Sequence, residues 1–164
     1  MSSKIKSTEA LDTWLTPLDF YNELNSRFNF NKFDPCPPDN DLELFNGLEV
    51  DWTDITFCNP PYSQKLKEKF IYKAYAESMK GKVSVLLLPV STSTKIFHEL
   101  IKPNARIEFL KGRIKFEGID RTGNWVNPYT GMYTLENTEG RTKINRSGQT
   151  DSMIVIFGDK NNDF

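Results

Sequence analysis

The chain has 164 residues, 38% of them hydrophobic and 13% aromatic, which suits one domain (1–164) with a buried core. A formal net charge of −1 excludes a uniformly basic nucleic-acid-binding surface, and no apolar run approaches the roughly 18 residues of a membrane helix. Two cysteines, Cys36 and Cys58, make neither a disulfide framework nor a metal site, and Met1 to Lys6 lacks the apolar stretch of a signal peptide, so a reducing, intracellular compartment is expected.

In chain order, Thr16-Pro17-Leu18-Asp19 reads as a helix start. Thr16 suits the cap, Pro17 the first position and Asp19 the positive end of the helix dipole. Pro17, Tyr21, Leu24 and Phe28 follow at helical spacing and predict one buried face. Phe30 to Asp34 alternates and stops at Pro35, the pattern of a first strand, and Pro37 to Asn40 is a turn. Residues 42–50 fit either a strand or a short helix. Ile55 to Cys58 is a β-branched and aromatic run, the next predicted strand.

Ser63 to Lys80 predicts a helix capped by Ser63 and closed by Gly81, with Leu66, Phe70 and Ala74 inward and Lys65, Lys67, Lys69 and Lys73 outward. Val83 to Leu88 is a fully buried strand stopped by Pro89. Ser93 or Thr94 caps a short helix carrying Ile96, Phe97, Leu100 and Ile101, which Pro103 ends. His98 on that helix has no catalytic partner type nearby and reads as structural. Arg106 to Leu110 is a strand, Ile114 to Phe116 extends the sheet, and Ser152 to Phe157 is a last buried strand. Strands alternating with helices, then a late strand pair, predict an α/β fold: an open sheet with helices on both faces.

The chemistry concentrates at Asn59-Pro60-Pro61-Tyr62, directly after the strand Ile55–Cys58. Two prolines lack the N–H a ladder needs, so the chain leaves the sheet at Asn59 in a stiff loop. In an open α/β sheet, the space past the carboxyl end of a strand is where ligands bind. The loop offers an amide, a prolyl carbonyl and an aromatic face, which together suit a planar base bearing an exocyclic amine. The adenine N6 lone pair is delocalised into the ring, so N6 is a poor nucleophile. An amide oxygen (Asn59) and a carbonyl (Pro60), each accepting one N6–H, draw the nitrogen toward tetrahedral geometry and stabilise its developing charge. Tyr62 suits stacking on a base once it leaves the helix. At average residue usage, Asn-Pro-Pro-aromatic arises by chance in a chain this long on the order of one time in a thousand.

Charge is unevenly spread. Residues 1–64 hold 4 Lys/Arg against 11 Asp/Glu, while residues 65–150 hold 16 against 8. Within the second half, 118–150 is rich in Gly, Asn and Thr without a clear period, longer than an ordinary loop, and a candidate target-recognition insertion. Arg113, Arg121, Arg141, Lys143 and Arg146, interleaved with Trp125, Tyr129 and Tyr133, suit DNA phosphates and the gap a flipped base leaves.

Over roughly residues 12–157 the sequence resembles the phage-type, Dam-like DNA N6-adenine methyltransferases. The resemblance rests on Trp14-x-Thr16-Pro17, Phe33-Asp34-Pro35, Asp51-Trp52, Asn59-Pro60-Pro61-Tyr62-Ser63, Leu88-Pro89 with its Ser/Thr run, and Phe109-Leu110-x-Gly112-Arg113-Ile114-x-Phe116. It implies a seven-stranded, Rossmann-like, mostly parallel methyltransferase sheet with a late antiparallel strand and flanking helices. It also implies S-adenosylmethionine as donor, double-stranded DNA as partner, and a phage-encoded enzyme in the host cytoplasm. Asn59, Pro60, Pro61 and Tyr62 would then hold the target base. Thr16, Pro17, Asp34 and Pro35 would lie by the cofactor, and Asp51 would contact its adenine amine or ribose. Many methyltransferases carry Gly-x-Gly after the first strand; here Asp34-Pro35-Cys36-Pro37-Pro38 has no glycine, a shape that phage-type members tolerate. The alternatives are a methyltransferase acting on another amine (RNA guanine N2 or protein glutamine) and a non-catalytic DNA-binding module that has kept the loop.

Overall fold

The computed structural model describes residues 16–37, 43–61, 63–116, 126–127, 132–133, 146–147 and 151–158. Helix α1 (Leu18–Phe28) comes first, then β1 (Ile55–Cys58), α2 (Gln64–Ser78) and β2 (Val83–Pro89). A π-helical stretch (Phe97–Ile101) runs into the short α3 (Lys102–Asn104), followed by β3 (Ala105–Phe109). The two-residue strands β4 (Lys115–Phe116), β5 (Val126–Asn127), β6 (Met132–Tyr133) and β7 (Arg146–Ser147) precede the final β8 (Ser152–Phe157).

The main sheet has the order β1-β2-β8-β3. β1 and β2 are parallel, with Cys58 opposite Leu86. β8 runs antiparallel to both neighbours, with Val155 between Leu86 and Ile107. Three strands therefore share one direction and the last in the chain is reversed, in an α/β fold with a mixed sheet and helices on both faces. Against the seven strands implied by the resemblance, the main sheet holds four among the described residues.

The pleat sorts the core into two layers. Phe57, Val85, Leu87, Ile154 and Ile156 face α1 through Tyr21 and Leu24. Cys58, Leu86, Leu88, Met153 and Val155 face α2 and the π-helical stretch through Phe70, Ile71, Ala74 and Ile101. β2 and β8 are covered on both faces, which is why they read as continuous apolar runs.

Several expectations are corrected. Phe30 to Asp34 forms no strand. Asn31 N–H bonds the Ile55 carbonyl at 3.0 Å, but the return bond, Ile55 N–H to Asn31 Oδ1 at 2.9 Å, goes to a side chain, so no ladder propagates. Phe30 instead joins Tyr21 and Phe57 in an aromatic cluster, with ring centroids 5.4–5.7 Å apart. Residues 43–50 form turns. Pro89 does not stop β2; it pairs with Ser152. Pro103 does not end the helix at Lys102, because it lies within α3. Ile114 to Phe116 does not extend the main sheet: β4 pairs with β7. Thr16 is no helix cap, since Pro17 takes that position with no side-chain capping bond. Ser63 is the cap residue of α2, also without a side-chain capping bond. Thr94 does receive the Phe97 N–H, at 3.3 Å.

At the amino edge of the sheet sits a buried carboxylate, Glu77, 1% exposed. Its Oε1 accepts Trp52 N–H (2.7 Å) and Lys82 Nζ (2.8 Å), and its Oε2 accepts Lys80 Nζ (2.7 Å) and Lys73 Nζ (3.2 Å). Burial alone would push its pKa up. The bonds from Lys80, Lys82, the Trp52 N–H and Lys73 outweigh that and hold it at about 2. Lys73, expected on the solvated face, is thus turned inward.

Candidate active site

Asn59 leaves β1 at the carboxyl edge of the sheet and is 6% exposed; Pro60 and Pro61 behind it are buried. The strand sets the direction of the Asn59 side chain. Phe57 faces α1 and Cys58 faces α2, so Asn59 comes back to the α1 side. There its Nδ2 donates to Thr16 Oγ1 at 3.2 Å. Thr16, 3% exposed, is held by the start of α1, whose first bond runs from Tyr21 N–H to the Pro17 carbonyl at 3.0 Å. With Nδ2 committed to Thr16, the amide oxygen Oδ1 points the other way, and it too is buried. An acceptor held in a dry site by a fixed neighbour is preorganised to stabilise a developing positive charge.

Asp34 comes to the same region. Its carboxyl is half-buried, and Oδ1 accepts the Cys36 N–H at 2.9 Å in an Asx turn. Burial pushes its pKa up to about 7, with the Cys36 N–H pulling the other way. Burial also raises the Tyr21 hydroxyl, and the nearby Asp34 adds to it. The Cys58 thiol, next to Asn59, is pushed well up by burial, with Cys36 and Asp34 adding to it. Both cysteines are buried free thiols.

The Asp34–Pro35 segment is buttressed from below. A Cβ on Gly47 would stand 1.8 Å from the Pro35 carbonyl oxygen, so the backbones touch where only glycine fits. Trp52 locks that contact by donating Nε1–H to the Gly47 carbonyl at 2.8 Å, while its own N–H is held by Glu77. A chain of contacts therefore runs Glu77–Trp52–Gly47–Pro35–Asp34. Sequence reasoning missed Gly47, although Asn46-Gly47 is a turn signal. It also missed Glu77, whose lysine neighbours give the helix the look of a solvated face.

The structure brings Asn59, Pro60, Thr16, Pro17, Asp34 and Pro35 to one end of the molecule. It does not bring Asp51 there. Asp51 is exposed before β1, at the opposite edge, and pairs with Lys80 at 3.1 Å. Arg113 is exposed and pairs with Asp151 at 3.2 Å. Tyr62, Arg121, Arg141 and Lys143 lie outside the described residues. Arg146 is placed by its backbone, opposite Phe116 in the β4–β7 pair. The His98 ring bonds the Thr92 carbonyl at 2.6 Å, a local structural role. Among the described residues there is no group of three or more His, Cys, Asp or Glu placed to hold a metal ion, and no helix is long and apolar enough to cross a membrane.

The half-buried Asp34 carboxyl, lifted to about 7, accepts the Cys36 N–H and gains most from a ligand that brings donors or positive charge. Comparison with known families gives one finding: the family model described as DNA N-6-adenine-methyltransferase (Dam) matches residues 2–162. No curated protein and no solved structure matches the chain.

Proposed function

The chain belongs to the DNA N-6-adenine-methyltransferase (Dam) family, and on that premise we propose that it transfers a methyl group from S-adenosylmethionine to N6 of an adenine flipped out of duplex DNA. The observation that carries this reading is the buried Asn59 side chain, pinned by its nitrogen to Thr16 at the end of β1, with two buried prolines behind it.

Bound S-adenosylmethionine would supply an electrophilic methyl on a sulfonium. Asp34 would take its hydroxyls or its ammonium, and Thr16 and Pro17 would line the approach. Asn59 Oδ1 and the Pro60 carbonyl would each accept one N6–H of the target base. As N6 took the methyl group from the sulfonium, positive charge would gather on N6. Both acceptors interact more strongly with that charge than with the neutral amine, which is what lowers the barrier. One N6 proton then passes to solvent, leaving N6-methyladenine and the neutral thioether. Tyr62 would stack on the flipped base. Segment 118–150 would carry target recognition, with Arg121, Arg141, Lys143 and Arg146 meeting phosphates.

Labelled methyl transfer to duplex DNA, followed by nucleoside analysis, tests the reading. N6-methyladenine is expected. Label in 4-methylcytosine, or in no nucleoside of any duplex, overturns it. Neutralising Arg141, Lys143 and Arg146 together should weaken DNA binding and flatten its salt dependence while leaving cofactor affinity unchanged.

A further inference from the structure

A cavity opens at the same carboxyl edge of the sheet, on the face opposite the Asn59 side chain. It holds about 80 Å³ and opens to solvent between the first turns of α2, the end of β2 and the π-helical stretch. Its floor is apolar: Ile71 from α2, Leu88 from β2, Ile101 from the π-helical stretch and Met153 from β8. Its mouth is polar and carries Gln64, Lys67 and Ser91. Glu68 is the acid on the lining, and Gln64 Nε2 donates to it at 3.4 Å. Lys95, between the lining residues Thr94 and Ile96, is exposed beside it.

The wall formed by residues 91–101 is built rather than incidental. Phe97–Ile101 is π-helical, with the Lys102 N–H bonded to the Phe97 carbonyl five residues back. Such turns are rare and favour functional sites. The Ser91–Thr94 turn is closed by one side-chain bond of its own and tied to this stretch by two more. Thr94 Oγ1 donates to the Ser91 carbonyl (2.9 Å) and accepts the Phe97 N–H (3.3 Å), and the His98 ring bonds the Thr92 carbonyl (2.6 Å).

An apolar slot with an amide, a hydroxyl and a cation at its mouth selects a ligand with a flat apolar body, hydrogen-bonding edges and a negative charge. We propose that this cavity binds a nucleotide, its base against Ile71, Leu88 and Met153, its edge toward Gln64 and Ser91, and its phosphate toward Lys67. The proposal deepens the DNA reading above and rests on it for the source of the nucleotide, a unit of the bound duplex outside the Asn59 loop. The position and chemistry of the cavity do not depend on that reading.

The test uses the 164-residue chain with methyl-labelled isoleucine and methionine. Its spectrum is followed on adding an adenine-containing duplex, dAMP or dTMP, and inorganic phosphate. The duplex should shift the Ile71, Ile101 and Met153 methyls and leave Ile154 and Ile156, on the α1 face, in place. Ser91→Trp, which fills the mouth, should abolish the shifts and weaken duplex binding about tenfold, within the range of one lost base-stacking contact. Gln64→Ala, at the exposed start of α2, should weaken it less and guards against a Ser91→Trp variant that fails to fold. Shifts with mononucleotides and none with duplex would keep the nucleotide chemistry and make the source a free nucleotide. Asn59→Ala should retain every shift, so a failure of methyl transfer stays separate from a failure here. Shifts from phosphate alone, from no nucleotide probe, or undiminished in folded Ser91→Trp overturn the proposal.

Discussion

Asn59 Nδ2 and Thr16 Oγ1 lie 3.2 Å apart across 43 residues of sequence, and this bond decides which end of the Asn59 amide faces the site. It couples the loop after β1 to the entry of α1. The hydroxyl therefore positions the group proposed to act on the base.

Two substitutions separate the acting group from the positioning one. Asn59→Ala should lower kcat about 10²–10³-fold, the usual loss when one such transition-state contact goes, with cofactor affinity within a few-fold of the parent. Thr16→Val keeps shape and removes the acceptor. It should lower kcat roughly tenfold, and Thr16→Ser should restore it. Single-turnover methylation with saturating cofactor reads both. A Thr16→Val enzyme with parental kcat would show that the bond does not orient Asn59.

Gly47 should tolerate no side chain. An added Cβ would meet the Pro35 carbonyl oxygen at 1.8 Å and its carbon at 2.6 Å, both backbone atoms that cannot swing away. Gly47→Ala should destabilise the fold by about 1–3 kcal/mol, the range for overpacking. It should also weaken cofactor binding by displacing Asp34, one residue from the clash. Urea unfolding and a cofactor titration check the two halves. Parental values in both would remove Gly47 from the support of the site.

Much of this arrangement is legible in the sequence because it is written in apolar runs and prolines. Ile55–Cys58 and Ser152–Phe157 are strands over the expected residues, since a run buried on both faces needs no partner information to be recognised. The Asn59 loop is legible because Pro60 and Pro61 forbid the ladder. What is not legible depends on partners far along the chain. Asn31 answers Ile55 with a side chain, so an alternating segment forms no strand. Thr16 looks like a cap and serves Asn59. Asp51 takes its expected role from order in the chain, whereas space puts it beside Lys80. Glu77 sits in a polar helix, and only the folded chain lays Trp52 and three lysines over it.

Glu77 makes stability fall in acid. Its folded pKa of about 2 lies below the ordinary 4.5, so its contribution is complete above about pH 4.5 and is lost as pH falls toward 2. Glu77→Gln leaves three lysines around a neutral amide and should cost about 3 kcal/mol at pH 7. Urea midpoints measured from pH 7 to pH 2.5 should show the gap between parent and variant closing below pH 4.5. A gap that stays constant over that range would mean that the lysines do not hold the carboxylate.

Asp34 should act in the opposite sense and in a higher window. Its folded pKa of about 7 lies above the ordinary 3.8, so the folded state holds a proton that the unfolded chain has released. Stability of the free protein should therefore decline as pH rises from about 4 to about 7. The neighbouring Tyr21 and Cys58 have raised pKa values and stay neutral across that window. Asp34→Asn removes the titration. It should match the parent near pH 4 and melt higher than the parent at pH 8. Cofactor binding should run the other way. If the ionised carboxyl takes the ammonium or ribose hydroxyls of S-adenosylmethionine, parental affinity should rise as pH climbs through 7, and Asp34→Asn should bind weakly with a flat profile. Thermal melts and calorimetric titrations at pH 5 and pH 8 read both quantities on the same samples. A stabilised variant with parental affinity would leave Asp34 a strained turn residue and move the cofactor contact elsewhere. A parent whose stability does not change between the two pH values would show that the carboxyl is not raised at all.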